Sequence, residues 1–210
     1  MRLAHYYHCF NSPVISHIIN EHLDYLDHSG LAKELGVMHM GLVGGHSSDG
    51  YILDIAGRIK IDVVAEADEG WEQVTLDVLH DDACADKFDA ALYLHSKGAS
   101  DPSQWNDAWR RSMTIGVVGH WRECIEKMEA GWDVVGCHWL TPQQFPQLVA
   151  TPFYGGNAWW STAEYLRTLP KPLRDTRHDA EAWLGQNNPK AYDLRPGWPG
   201  FNTIYPEAIR

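Results

Sequence analysis

The sequence predicts an α/β protein with a mostly parallel central sheet flanked by helices. Three observations carry that prediction. Short apolar runs alternate with segments of helical periodicity, Ser, Pro and Gly bound the helical segments, and the chain ends in a Pro-, Gly- and Asn-rich stretch that suits an irregular tail. At 210 residues, with 44% hydrophobic and 21% charged content, the chain can bury one sizeable core and is short for two. Residues 1–210 therefore read as a single domain.

Each element follows from its own residues. "RLAHYYHCF" reads as a first strand. In "NSPVISHIINEHLDYLDHSG" Ser12 is the expected N-cap, Pro13 the first helical residue and Gly30 the stop, with Val14, Ile15, Ile18, Ile19, Leu23 and Leu26 on one face. "GVMHMGLVGG" is a second strand and "IKIDVVAEA" a third. A helix is expected from Trp71 to about Asp86, burying Trp71, Val74, Val78 and Leu79. "FDAALYLHSKG" is a fourth strand, buried by composition. One or two helices over 103–130 end at Gly131, and "WDVVGCHWL" and "FYGGNAWWS" are further apolar segments. "STAEYLRTLP" and "RHDAEAWLG" are short helices, and 193–210 is the tail.

Composition narrows the function. A formal charge of −11 disfavours a broad electrostatic hold on a nucleic-acid backbone, which needs clustered Lys and Arg. Cys9, Cys84, Cys124 and Cys137 form no CxxC pair and read as reduced thiols. No apolar run approaches the ~18 residues of a membrane span, and the N-terminus lacks a signal-peptide core, so a cytoplasmic address is expected. Twelve histidines match no complete metal-ligand spacing.

In open α/β sheets ligands bind beyond the carboxyl ends of the strands. That places His8 to Asn11, Gly44 to Ser47, Glu66 to Asp68 and His95 to Asp101 around a cleft. Lys97, a cation beside Gly98 at a strand end, suits a phosphate, or equally a solvated turn. Ser96 can donate to a phosphate or cap the turn, and His95 can meet a ligand or pair with Asp101. Asp101 and Pro102 read best as a helix start, and Arg110 and Arg111 as a solvated helix face. "YGGNAWW" joins Gly155 and Gly156 to the amide of Asn157 and two indoles, a set that suits a sugar. Trp159 and Trp160 face opposite sides of a strand, so at most one can line a cleft. In "RHDAEAW", His178 and Glu181 share a helix face, as do Arg177 and Glu181, making Glu181 the preferred general base over an ordinary surface ion pair. "HDDACAD" reads as a solvated acidic surface.

"HYYHCF", "YLHSKG", "WRECIEKMEAGWDVVG", "GGNAWWSTAEYLRTLP" and "RHDAEAW" occur in that order across about residues 3–192. In this the chain resembles small bacterial and phage glycosyltransferase-like proteins of the nucleotide-diphospho-sugar transferase superfamily, which have a GT-A fold. The resemblance implies a nucleoside-diphosphate sugar bound over residues 1–100, with Tyr7, His8 and Phe10 near the base or ribose and His95, Ser96, Lys97 and Gly98 at the diphosphate. There most GT-A enzymes keep an Asp-x-Asp pair that holds a divalent metal. This chain lacks that pair, so its charge would pass to Lys97 and backbone N–H groups, or to a metal held by His95 or Asp101. Residues 101–192 would form the sugar and acceptor half. Gly155, Gly156, Asn157, Trp159 and Trp160 would lie under the donor sugar and at the acceptor mouth, and Arg177, His178 and Glu181 on the acceptor side.

The resulting expectation is transfer of a sugar to a hydroxyl acceptor. Glu181 would take the acceptor proton, Asn157 orient sugar or acceptor, and Lys97, with Arg110, stabilise the leaving diphosphate. Three rivals stand beside it: a non-catalytic carbohydrate-binding protein on the same fold, a phage enzyme glycosylating modified DNA bases, and a His-rich metallohydrolase.

Overall fold

A computed structural model of the chain describes residues 1–173 and 176–209. Its elements run β1 (Leu3–Phe10), α1 (Ile15–Ser29), α2 (Leu31–Leu35), β2 (Val37–Val43), α3 (Gly50–Ile55), β3 (Lys60–Ala67), α4 (Gln73–Cys84) and β4 (Ala90–His95). There follow α5 (Gln104–Thr114), a π-helical turn (Ile115–Gly119), α6 (Trp121–Glu129), β5 (Val134–Gly136), β6 (Trp139–Leu140) and β7 (Phe153–Tyr154). The chain closes with β8 (Trp159–Thr162), α7 (Ala163–Leu166), α8 (Arg177–Trp183), β9 (Ala191–Asp193) and a 3₁₀ turn (Pro206–Ile209).

Seven strands form the central sheet in the order β3-β2-β1-β4-β8-β5-β9, with β6 and β7 as a separate ribbon. β1 runs parallel to β2 and β4, β2 to β3, and β5 to β9, whereas β8 is antiparallel to both its neighbours. Alternating side chains divide the core. On one face Tyr7, Met40, Leu92 and Trp160 pack against α1, α3, the π turn and α6; on the other Tyr6, Tyr93 and Trp159 pack against α4, α7 and α8. The result is a three-layer α/β/α body, as the strand and helix alternation predicted.

Local details depart from the sequence reading. α1 starts at Ile15, not at a Ser12 cap: the Ser12 carbonyl accepts the Ile15 N–H at 3.1 Å, while its hydroxyl has no partner among the described residues. α4 starts at Gln73 and buries Thr75, Leu76, Leu79, His80 and Ala83. Trp71 precedes it and stays 44% exposed. The buried stripe keeps helical spacing because two of its polar members are satisfied, Thr75 by His8 and His80 by the Leu169 carbonyl. The cap of α5 is Ser103 rather than Asp101, its hydroxyl accepting the Asn106 N–H at 3.1 Å. The tail is irregular after Asp193, but residues 191–193 form β9, so the boundary at 192 falls inside a strand. The four cysteines are unpaired, and among the described residues no helix is long and apolar enough to cross a membrane.

Candidate functional site

The parallel pair β1 and β4 places His8 directly opposite His95 at the carboxyl end of the sheet. Beyond them the chain of β4 turns sharply. The Ser96 N–H donates to the His8 carbonyl at 2.9 Å, and the Ser96 hydroxyl accepts the Phe10 N–H at 2.9 Å, tying the turn to β1. Gly98 takes φ +89°, a left-handed conformation that a side chain would strain. From beneath, the buried Arg110 guanidinium donates to the Lys97 carbonyl at 3.1 Å while paired with Glu21 at 3.0 Å and Asp107 at 2.8 Å. Arg110 is thus committed to holding the turn, and the expectation that it meets a diphosphate is corrected.

A cavity of about 220 Å³ opens over this turn. Phe10 and Trp71, both partly exposed, supply aromatic surface; Ser96, Lys97 and Arg177 supply a hydroxyl and two cations. Its floor is a buried polar network centred on Glu72, the residue just before α4. Glu72 lies 2.9 Å from His95 Nδ1 and accepts the Tyr93 hydroxyl at 3.1 Å and the Asn157 amide N–H. His95 Nε2 in turn lies 2.7 Å from the Gly156 carbonyl. Both ring nitrogens therefore face oxygens. Burial pushes the Glu72 carboxyl up, but the charge and hydrogen bond of His95, with help from His8 and Asn157, outweigh it and hold it at about 2. Burial lowers His8 to about 4, and its Nδ1 pairs with the Thr75 hydroxyl at 2.9 Å.

A second cavity, about 530 Å³, lies on the other side of Lys97. Gly155, Gly156 and Trp109 line it, and α8 adds His178, Asp179 and Glu181. α8 is set by a capping box in which Asp179 accepts the Thr176 N–H at 2.6 Å. His178 and Glu181 share a face as their spacing requires, 3.7 Å apart, whereas Arg177 turns to the first cavity. The Lys97 ammonium sits 3.7 Å over the Trp109 ring. Burial pushes Lys97 down to about 8; Arg177 adds to this, and Glu181, Glu72 and Asp101 oppose it.

The structure thus brings His8, Phe10, His95, Ser96, Lys97, Gly98 and Arg177 to one cavity, and Lys97, Gly155, Gly156, His178 and Glu181 to the other. Four expected site residues lie elsewhere. Tyr7 is buried against α1 with its hydroxyl 2.9 Å from His22 Nδ1. Trp159 stacks on Tyr93 at 4.9 Å and donates to Asn157 at 2.7 Å; Trp160, on the opposite face, donates to the Val117 carbonyl at 2.7 Å. Asn157 itself, at φ +50°, spends its amide on Glu72 and Trp159. All four are framework, because each polar atom named is satisfied within the protein. Sequence reading missed Glu72, which no local pattern links to His95, and Trp71, which it assigned to a helix face.

The described residues that line the first cavity do not make a donor set for a divalent metal. Among the described residues Glu72 is the one carboxylate lining the first cavity, both its oxygens are engaged, and Lys97 and Arg177 share its walls. Of the alternative ligands, His95 is committed to Glu72 and Gly156, and Asp101 accepts the Asn106 amide at 3.1 Å. A third hollow of about 460 Å³ lies where Gly44, Gly45, Glu66 and Asp68 end β2 and β3.

This body is a three-layer α/β/α fold with a cavity at the carboxyl ends of its parallel strands β1 and β4. A cytidylyltransferase from Leptospira borgpetersenii serovar Hardjo-bovis is similar with a TM-score of 0.53 and 11% identity, over 94% of this chain and 76% of that one. A197 from STIV matches with a TM-score of 0.47 and 11% identity, over 92% and 82%. The 4-diphosphocytidyl-2C-methyl-D-erythritol synthase from Anaerococcus prevotii DSM 20548 gives 0.47 and 7%, over 99% and 95%. At 11% identity the likeness to the cytidylyltransferase is one of fold alone. Comparison with curated proteins finds no match. The chain belongs to the family described as a domain of unknown function, DUF8361, whose profile matches residues 7–203.

Proposed function

We propose that the protein transfers a sugar from a nucleoside-diphosphate sugar to a hydroxyl acceptor. One observation carries the reading: Lys97 stands in the wall of both cavities, with Arg177 beside it at the first and Glu181 at the second. A diphosphate in the first cavity meets two cations and the Ser96 hydroxyl, and its base finds aromatic surface on Phe10 and Trp71. An acceptor hydroxyl in the second cavity attacks the anomeric carbon and gives its proton to Glu181. The bond from that carbon to the diphosphate oxygen breaks, its electron pair leaving with the diphosphate, where Lys97 and Arg177 stabilise the growing charge. His95 and Glu72 act as positioning residues, fixing Gly156 and the turn that carries Lys97. Charge is balanced by protein cations in place of a metal.

Nucleoside diphosphates and their sugars should raise the melting temperature by several degrees, equally with Mn²⁺ or with chelator, since a ligand of the folded state stabilises it. Indifference to every nucleotide overturns the reading; stabilisation lost with chelator overturns its metal-free part.

A second reading, nucleotidyl transfer, is favoured by the same cation pair, which suits a phosphate under attack as well as one departing, and by the likeness in fold to a cytidylyltransferase. The products separate the two. Glycosyl transfer releases nucleoside diphosphate from a nucleotide sugar, and nucleotidyl transfer releases pyrophosphate from a nucleoside triphosphate and a sugar phosphate.

A further inference from the structure

The two walls of the second cavity differ in chemistry. α8 and Lys97 give a polar side, with His178, Asp179 and Glu181. Facing segments give an apolar one, with Leu140, Leu148, Val149, Phe153 and Trp198. Two of these are large side chains that the protein leaves uncovered: Leu148 is 70% exposed and Trp198 46%. Trp198 is nonetheless held in place by an edge contact with Phe145, ring centroids 5.3 Å apart. A bare saccharide needs hydrogen-bonding partners around most of its ring, and hydroxyls pressed against Leu and Val lose water without replacement. Apolar surface of this kind is instead covered with gain by a hydrocarbon or aryl group. The volume of about 530 Å³ lies within the range of small-molecule sites rather than of a protein-binding face, and Lys97 joins it to the first cavity.

We propose that the second cavity takes an amphiphilic alcohol: a hydroxyl presented to Glu181 and Lys97, carried on an aliphatic or aromatic body that covers Leu148 and Trp198. The assignment of its hydroxyl as the acceptor rests on the glycosyl-transfer reading; the preference for an apolar body does not.

Binding of methyl, hexyl and octyl β-glucosides, each below its micelle-forming concentration, should be measured by isothermal titration calorimetry without nucleotide. Affinity should rise at least tenfold from methyl to octyl. Leu148→Asp, a change at an exposed position, should cut that gain below threefold with circular dichroism unchanged, and Trp198→Ala should weaken octyl binding at least fivefold. Affinity independent of chain length, no binding by any of the three, or tighter binding of maltotriose than of octyl glucoside overturns the proposal, as does a Leu148→Asp protein that keeps the full gain. If the length dependence holds while no nucleotide binds, the transferase reading fails and the apolar site stands.

Discussion

Lys97 keeps its ammonium in a partly buried place, over the Trp109 ring and near Arg177. Burial beside Arg177 lowers it to about 8, so its charge is intact near neutrality and is lost as pH rises beyond that value. An anion between Lys97 and Arg177 relieves the repulsion. Diphosphate affinity, measured by calorimetry, should therefore hold from pH 6.5 to 7.5 and fall as pH passes through about 8 and beyond. Lys97→Met should weaken it by about 10- to 100-fold, the range expected for a charged hydrogen bond worth ~1.5–3 kcal/mol. The same variant should melt no lower than the native protein, because a cation whose folded pKa is depressed opposes folding below that range. Glu181→Gln should reduce turnover by about 10²- to 10⁴-fold, as for other general bases, with donor binding retained. A carbohydrate-binding protein without catalysis would have no turnover to lose.

At the scale of elements, the site depends on how loops are pinned to strands. The segment joining β7 to β8 turns at Gly156, φ +91°, and its carbonyl holds His95. A methyl there would strike the Met113 sulfur as well as strain the backbone. Gly156→Ala should cost about 2–4 kcal/mol in urea unfolding, from the left-handed backbone and the overpacked core together. Gly197→Ala makes the control: φ is +105° but the nearest atom is the Thr203 methyl at 3.6 Å, so only the backbone cost of about 1–2 kcal/mol applies. Equal losses in the two variants would show that the contact with Met113 has no energetic weight. Most of the longer strands and helices were readable from periodicity and punctuation, since those are local, whereas α3 and β9 were not. Helix faces were less so: α4 buries Thr75 and His80 because partners on β1 and after α7 satisfy them, and no partner is visible within the helix itself.

For the molecule as a whole, the buried histidines set the response to acid. Burial lowers His5 to about 3, with His39 contributing, and lowers His8 and His138 to about 4; His22 is also held well below its ordinary value. In the unfolded chain such rings titrate near pH ~6.5, so below that the unfolded state binds protons first and stability falls toward pH 4. Glu72, depressed in the folded state, adds stability present above its unfolded value and lost as pH drops toward about 2. Thermal unfolding followed by circular dichroism should show a melting temperature that declines steadily from pH 7 to pH 4.5. A flat profile over that interval would mean that these rings are not buried as described.

By itself the sequence determined the α/β class, the order of most elements and the residues at the strand tips, because hydrophobic period and turn chemistry act over a few residues. It also singled out Lys97, Arg177 and Glu181, whose charges on short turns and helices mark them locally. Only the tertiary structure decided which polar groups are spent inside the protein. Asn157, Trp159 and Arg110 look like ligand-binding groups until Glu72, Tyr93 and the Lys97 carbonyl are brought to them from distant parts of the chain. A hydrogen-bonding side chain advertises what it can do, but whether that capacity is left for a ligand depends on neighbours that only folding supplies.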